Sequence, residues 1–174
     1  MIRIEPINPE NAPKHVTDIF DELKKTKWRI PTMYRVLAHH PSILKAHEGY
    51  FDAVMNNGTL DRKLKEKVAF KVAHLNGCAY STASHYRYAL KCGATEDEMS
   101  AVETMRIDSM TSKEAAALQL AVEMNYSGKK VTSELFSDLE ANFSSGEIIE
   151  LLATVGLMIF ASRLADALGL EAEV

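Results

Sequence analysis

The sequence predicts an all-α protein. Apolar residues recur at three- and four-residue intervals along most of the chain, and residues that start and stop helices punctuate it regularly. No stretch alternates apolar and polar residues between hairpin turns. At 174 residues the chain makes one domain, or two small intimately packed halves, and is long enough to bury a core.

Residues 1–12 carry Pro6, Asn8, Pro9 and Asn11 without a sustained period and read as an extended arm; residues 13–174 read as a single all-α domain. Pro13 suits the first turn of a helix running to about Lys27, with Val16, Ile19, Phe20 and Leu23 on one face. Trp28-Arg29-Ile30 is a connector. Pro31 opens a short helix through about His40, with Met33, Val36 and Leu37 inward. Pro41 opens another, whose stripe is Ile43, Leu44, His47, Phe51 and Val54 and whose stop is Asn56-Asn57-Gly58.

Thr59 or Asp61 caps the next helix, whose apolar side is Leu64, Val68, Val72 and Leu75. Asn76-Gly77 breaks it, and a helix entered at Cys78 runs to Gly93. Thr95-Glu96-Asp97-Glu98 is an acidic helix start, favoured by the positive end of the helix dipole. Thr111 or Ser112 caps a helix with Ala115, Leu118, Val122 and Met124, and residues 131–142 form another. Ser144-Ser145-Gly146-Glu147 reads as a capping box ahead of a nearly all-apolar helix to about Leu168, which must be buried centrally or in a subunit interface. Residues 65–72 and 149–156 align with a glutamate and an alanine in register, an echo consistent with a duplicated helical hairpin.

Composition narrows the function. Apolar residues at 47% and charged residues at 25% suit a globular protein, and a net charge of −4 argues against a nucleic-acid partner. The densest basic run, Arg62-Lys63-Leu64-Lys65-Glu66-Lys67, reads as the solvated face of a helix. No signal-peptide pattern opens the chain, and the strongest apolar run, Leu151 to Ala161, is too short to span a bilayer. Cys78 and Cys92, on one helix, would stand roughly 20 Å apart, beyond disulfide reach. Two free thiols in a cytoplasmic protein are the expectation.

The chemistry concentrates in residues 66–93. Positions 78, 81 and 85 stand at i, i+3 and i+7, so one helical face presents Cys78, Ser81 and His85. A cysteine at a helix N-terminus gains a lowered pKa from the amide donors and the dipole; equally, a free cysteine is a small buried hydrophobe. Ser81 is a candidate cap and His85 a candidate base. Counting back from the Asn76-Gly77 break brings Glu66 within about a turn of His85 axially, whereas a direct contact with Cys78 needs a kink or a water. The alternative for Glu66 is a solvated charge between Lys65 and Lys67. His39, His40, His47 and His74 are weaker candidates. Without a Cys/His pair at ligand spacing no metal is expected, and no cofactor is implied.

Glu66, Cys78, position 81 and His85, with Asn76, Tyr80 and Gly93 around them, resemble the core motif of the AhpD-like alkylhydroperoxidase and carboxymuconolactone decarboxylase superfamily. Pro31, His40-Pro41, Gly58-Thr59-Leu60 and the Phe143–Leu168 tail resemble its longer, peroxidase-related members, so the likeness spans about Pro31 to Leu168. It implies a helical bundle with a pseudo-repeated hairpin core, assembled as trimers or hexamers. In redox members the motif glutamate and histidine relay protons to a Cys-x-x-Cys pair, whose second cysteine reacts with peroxide while the first completes the disulfide.

This chain carries Ser81 where that second cysteine stands. A serine forms neither a sulfenic acid nor a disulfide, so the dithiol cycle is disabled. Three readings follow. One is one-cysteine thiol chemistry of antioxidant type, with Cys78 oxidised or joined to an external thiol reductant while Glu66 and His85 move protons. Another is redox-independent acid–base chemistry on a small organic acid or lactone, as in the decarboxylase branch. The third is a non-catalytic binding or assembly protein on the same scaffold.

Overall fold

Side-chain caps begin the helices that matter most. The Asp61 carboxylate accepts from the Lys63 N–H, Thr132 from Leu135, and Thr95, Thr111 and Ser144 each form a full capping box with a glutamate three residues on. A computed structural model describes residues 1–26 and 29–173. Its α-helices are α1 (Lys14–Thr26), α2 (Thr32–Leu37), α3 (Pro41–Phe51), α4 (Arg62–Leu75), α5 (Ala79–Lys91), α6 (Glu96–Thr104), α7 (Ser112–Tyr126), α8 (Ser133–Asn142) and α9 (Ser145–Leu168). The described residues contain no strand. The all-α reading is therefore right, while the expected α1 end at Lys27 and the connector residue Trp28 lie outside the described residues.

Local details differ from expectation for physical reasons. Pro31 precedes α2 rather than opening it, and α2 closes at Leu37, short of His40, which before Pro41 is held out of the helical region at φ −130°. Ile43 is 46% exposed rather than inward. The helix begun at Pro41 widens into a π-turn over Asp52–Asn56, where the Asp52 carboxylate receives the side-chain amides of Asn56 at 2.7 Å and Asn57 at 2.5 Å.

The larger correction concerns α4. It is packed by α5, α6, α7 and α9, so there is no solvated face. Lys65, Lys67 and Lys71 are all buried, and their stems cross apolar surroundings to reach acceptors. Lys65 Nζ meets Glu150 at 2.6 Å, Lys67 Nζ meets Glu114 at 2.6 Å, and Lys71 Nζ donates to the Glu103 carbonyl at 2.8 Å. Glu66, between them, is fully buried. A solvated charge is excluded there.

Two apolar clusters make the core. One joins α4, α7 and α9 through Val68, Val72, Leu118, Leu120, Leu151 and Val155. The other joins α1 to α3 with the end of α9, through Phe20, Met33, Leu44 and Ala165, and includes Cys78 and Tyr80. In residues 1–12 one short turn forms at Pro9–Asn11, and backbone bonds from Arg3 to Leu168 and from Ile7 to Arg35 lay this arm over α9 and α2.

Helix α9, at 24 residues, is long and apolar enough by length and composition to cross a membrane, more than the eleven-residue apolar run suggested. Its Leu151, Val155, Leu157 and Met158 are buried against the other helices, while Ile149 and Phe160 stay exposed. The two echoed glutamates diverge in use: Glu150 of α9 binds Lys65 and the Thr59 N–H at 2.8 Å, whereas Glu66 of α4 faces α5.

Candidate active site

The hairpin of α4 and α5 builds the site. Asn76 and Gly77 end α4, Gly77 in the left-handed region at φ 70° where only glycine avoids a steric penalty. The Asn76 side-chain amide donates to Ser162 Oγ at 2.8 Å, which fixes the turn against α9. Cys78 then caps α5, and the next two turns carry Tyr80, Ser81 and His85 inward.

Glu66 and His85 meet. His85 Nδ1 lies 2.6 Å from Glu66 Oε2, and Glu66 Oε1 receives Arg62 Nε at 2.7 Å and Nη2 at 2.5 Å. Burial pushes the Glu66 carboxyl up, but the charges and hydrogen bonds of His85 and Arg62 outweigh it and hold it below the usual range. An ionised carboxylate only accepts, so Nδ1 of a neutral His85 carries the proton and Nε2 keeps a lone pair. Arg62 is itself held by the π-turn: its Nη1 donates to the Met55 carbonyl at 2.6 Å and to the Asn56 side-chain oxygen. The sequence reading missed Arg62, although its place one turn before Glu66 was a usable signal.

His85 and Ser81 line a cavity of about 340 Å³ at the seam of the two core clusters. Met33, Phe51, Met158 and Ala161 supply apolar wall, and Tyr34, His47 and Tyr80 supply polar wall. Arg87 and Lys91, one turn apart on the exposed side of α5, stand among the lining residues. Nothing in the spacing of these residues announced a shared cavity, because they come from separate helices.

Cys78 is in the constellation but not in the cavity. It is fully buried, and its Sγ lies 3.5 Å from Ser81 Oγ. Burial pushes the thiol up; hydrogen bonds from Ser81 lower it, and the Asp166 carboxylate raises it again, leaving it above the usual value. That direction is opposite to the one expected for a cysteine at a helix start, because burial and the nearby Asp166 carboxylate outweigh the hydrogen bonds from Ser81. Cys92 ends α5, exposed, and both thiols are free. Among the described residues no group of three His, Cys, Asp or Glu side chains is placed to hold a metal ion.

Residues 41–123 match the model of the carboxymuconolactone decarboxylase family. The uncharacterized protein YdfG of Bacillus subtilis (strain 168) is 24% identical over 113 residues, covering 64% of this chain and 77% of that protein. An uncharacterized peroxidase-related protein with an alkylhydroperoxidase AhpD core, from Ralstonia eutropha JMP134, superposes with a TM-score of 0.84 at 19% identity, covering 99% of this chain and 92% of its own. The debrominase Bmp8 superposes with a TM-score of 0.84 at 20% identity and the same coverage. A cysteine-to-alanine variant of Bmp8 in complex with 2,3,4-tribromopyrrole superposes at 0.85 and 18% identity, covering 100% and 93%.

Proposed function

We propose, from the match of residues 41–123 to the carboxymuconolactone decarboxylase family and from the fold shared with AhpD-like proteins, that the chain is a member of this superfamily and an acid–base enzyme acting on a small organic acid or lactone. One observation carries the reading: the imidazole that pairs with buried Glu66 also lines the cavity, whereas the Cys78 thiol is sealed outside it.

His85 Nε2 takes a proton from the substrate, and the imidazolium that results is stabilised by the Glu66 carboxylate on Nδ1. Arg62, which also lines the cavity, keeps Glu66 ionised and oriented. The proton returns to the carbon or oxygen that gains electron density. In the decarboxylation of a carboxylate placed β to a carbonyl, the electrons of the broken C–C bond form an enolate as carbon dioxide leaves, and His85, protonated at Nε2 from solvent, delivers that proton to the enolate carbon. Arg87 and Lys91 attract an anionic substrate to the cavity, and the Ser81 hydroxyl is a hydrogen-bond partner beside His85. Tyr50, Ile43, Ile149 and Phe160, exposed on α3 and α9, support association of copies of the chain.

One-cysteine thiol chemistry stays as a second reading on a separate observation. Cys78 Sγ touches Ser81 Oγ, and Ser81 lines the cavity, so one side chain separates the thiol from a bound molecule.

Turnover across a panel of small carboxylic acids and lactones separates the two. Acid–base chemistry requires His85→Ala to abolish activity and Cys78→Ala to retain it. Loss of activity in Cys78→Ala with the fold intact overturns that reading in favour of thiol chemistry.

A further inference from the structure

The proton-transfer scheme leaves Glu173 without a role, yet this residue lines the cavity. It arrives there on a short tail. Helix α9 ends at Gly169, and Leu170 anchors the chain by burying its side chain in the second core cluster and donating its N–H to Ala165 at 3.0 Å. Beyond that anchor Glu171 and Ala172 are exposed.

The Glu173 carboxylate nonetheless finds three convergent donors. Its Oε1 accepts from the Thr32 N–H at 2.6 Å and from the Tyr80 hydroxyl at 2.9 Å, and its Oε2 meets Arg29 Nη2 at 2.9 Å. The Tyr80 hydroxyl accepts in turn from the Met33 N–H at 3.5 Å, which orients its own proton toward the carboxylate. Arg29, Thr32 and Tyr80 belong to separate parts of the fold, and Tyr80 is buried beside Ser81 on α5. Tyr80 and the Thr32 N–H are thus set by helices of the core, while their acceptor rides on a segment anchored by Leu170 and by the exposed pair of Glu171 with the Met1 amine at 3.6 Å. At 35% and 16% side-chain exposure, the Arg29–Glu173 pair remains open enough to exchange with a competing anion.

We propose that Arg29, Tyr80 and the Thr32 N–H form a carboxylate subsite of the cavity, and that Glu173 is its displaceable internal occupant. The carboxylate of a small organic acid takes the subsite when the tail swings out on the Leu170 anchor, leaving the apolar wall of Met33 and Met158 for the rest of the molecule. A tethered carboxylate competes at the high local concentration its short linker enforces, so a free one binds weakly until it wins that exchange. The proposal rests on the reading of the cavity as the substrate site, and not on the Glu66–His85 pair.

Benzoate binding to the full chain, followed by titration calorimetry, tests it. Glu173→Ala is expected to bind benzoate about tenfold or more tightly than the wild type. Glu173→Gln, which keeps the side chain's size and removes its charge, is expected to show a gain as well. The gain should disappear in the double variant Arg29→Ala/Glu173→Ala, and persist in His85→Ala/Glu173→Ala. Unchanged affinity in both single variants, or a gain that survives removal of Arg29, overturns the subsite. Because the readout is binding and the His85 variant is included, failure of the subsite and failure of the acid–base reading are distinguishable.

Discussion

His85 Nδ1 and Glu66 Oε2 lie 2.6 Å apart although they stand nineteen positions apart in the chain, because α4 and α5 fold back on each other at Gly77. The contact is enclosed: Glu66 is fully buried and Arg62 holds its other oxygen. Such a pair keeps Nδ1 of a neutral imidazole protonated on a residue that lines the cavity.

Removing the carboxylate leaves two polar partners stranded. Glu66→Ala is expected to cost about 3 kcal/mol, the low end for breaking a buried pair, since the Arg62 side chain is 29% exposed and can find water. Glu66→Gln, which still accepts from Nδ1–H, should cost less. Urea denaturation measures both, and a cost near zero for Glu66→Ala would show that the pair contributes nothing to stability.

Stability should depend on acid in a defined direction. Burial raises the carboxyls of Glu66, Glu114 and Glu150, but charged and hydrogen-bonded partners hold all three below their ordinary values. Between the folded and unfolded values the unfolded chain binds more protons, so the stabilisation is complete above about pH 4.3 and is lost as pH falls through the lowered folded values. Urea midpoints measured from pH 7 down to pH 3 should fall most steeply below about pH 4. A flat profile across that range would contradict the pairing.

The two cysteines should differ in access. Iodoacetamide is expected to label exposed Cys92 first and to reach buried Cys78 only as the chain unfolds, so mild urea should accelerate Cys78 alone. Faster native labelling of Cys78 would revive the thiol reading.

Ser81 stands where a second thiol would meet both Cys78 and the cavity. Ser81→Cys is expected to gain dithiol-dependent peroxide reduction that the wild type lacks, with His85 and Glu66 already in place to move the proton. Peroxide turnover by the wild type at a comparable rate would refute the claim that Ser81 disables the dithiol cycle.

Much of the fold was legible because its signals are local. Thr95 with Glu98 and Ser144 with Glu147 form the capping boxes that their spacing advertises, and Val16, Ile19, Phe20 and Leu23 are buried as their period requires. Lys65 and Lys67 were misread because local charge says nothing about what packs around a helix. Their distant partners, Glu150 and Glu114, come from α9 and α7.

The sequence by itself determined the helices and most of their breaks, since caps, periods and turns act within a few neighbours, and it placed Glu66, Cys78, Ser81 and His85 on two helices joined at Asn76-Gly77. Only the tertiary structure decided which of those four faces the cavity. Burial and hydrogen bonding are set by what the other helices bring: they enclose Cys78 and raise its thiol, leave Ser81 and His85 on the wall, and deliver Arg62 to Glu66 and Glu173 to Tyr80.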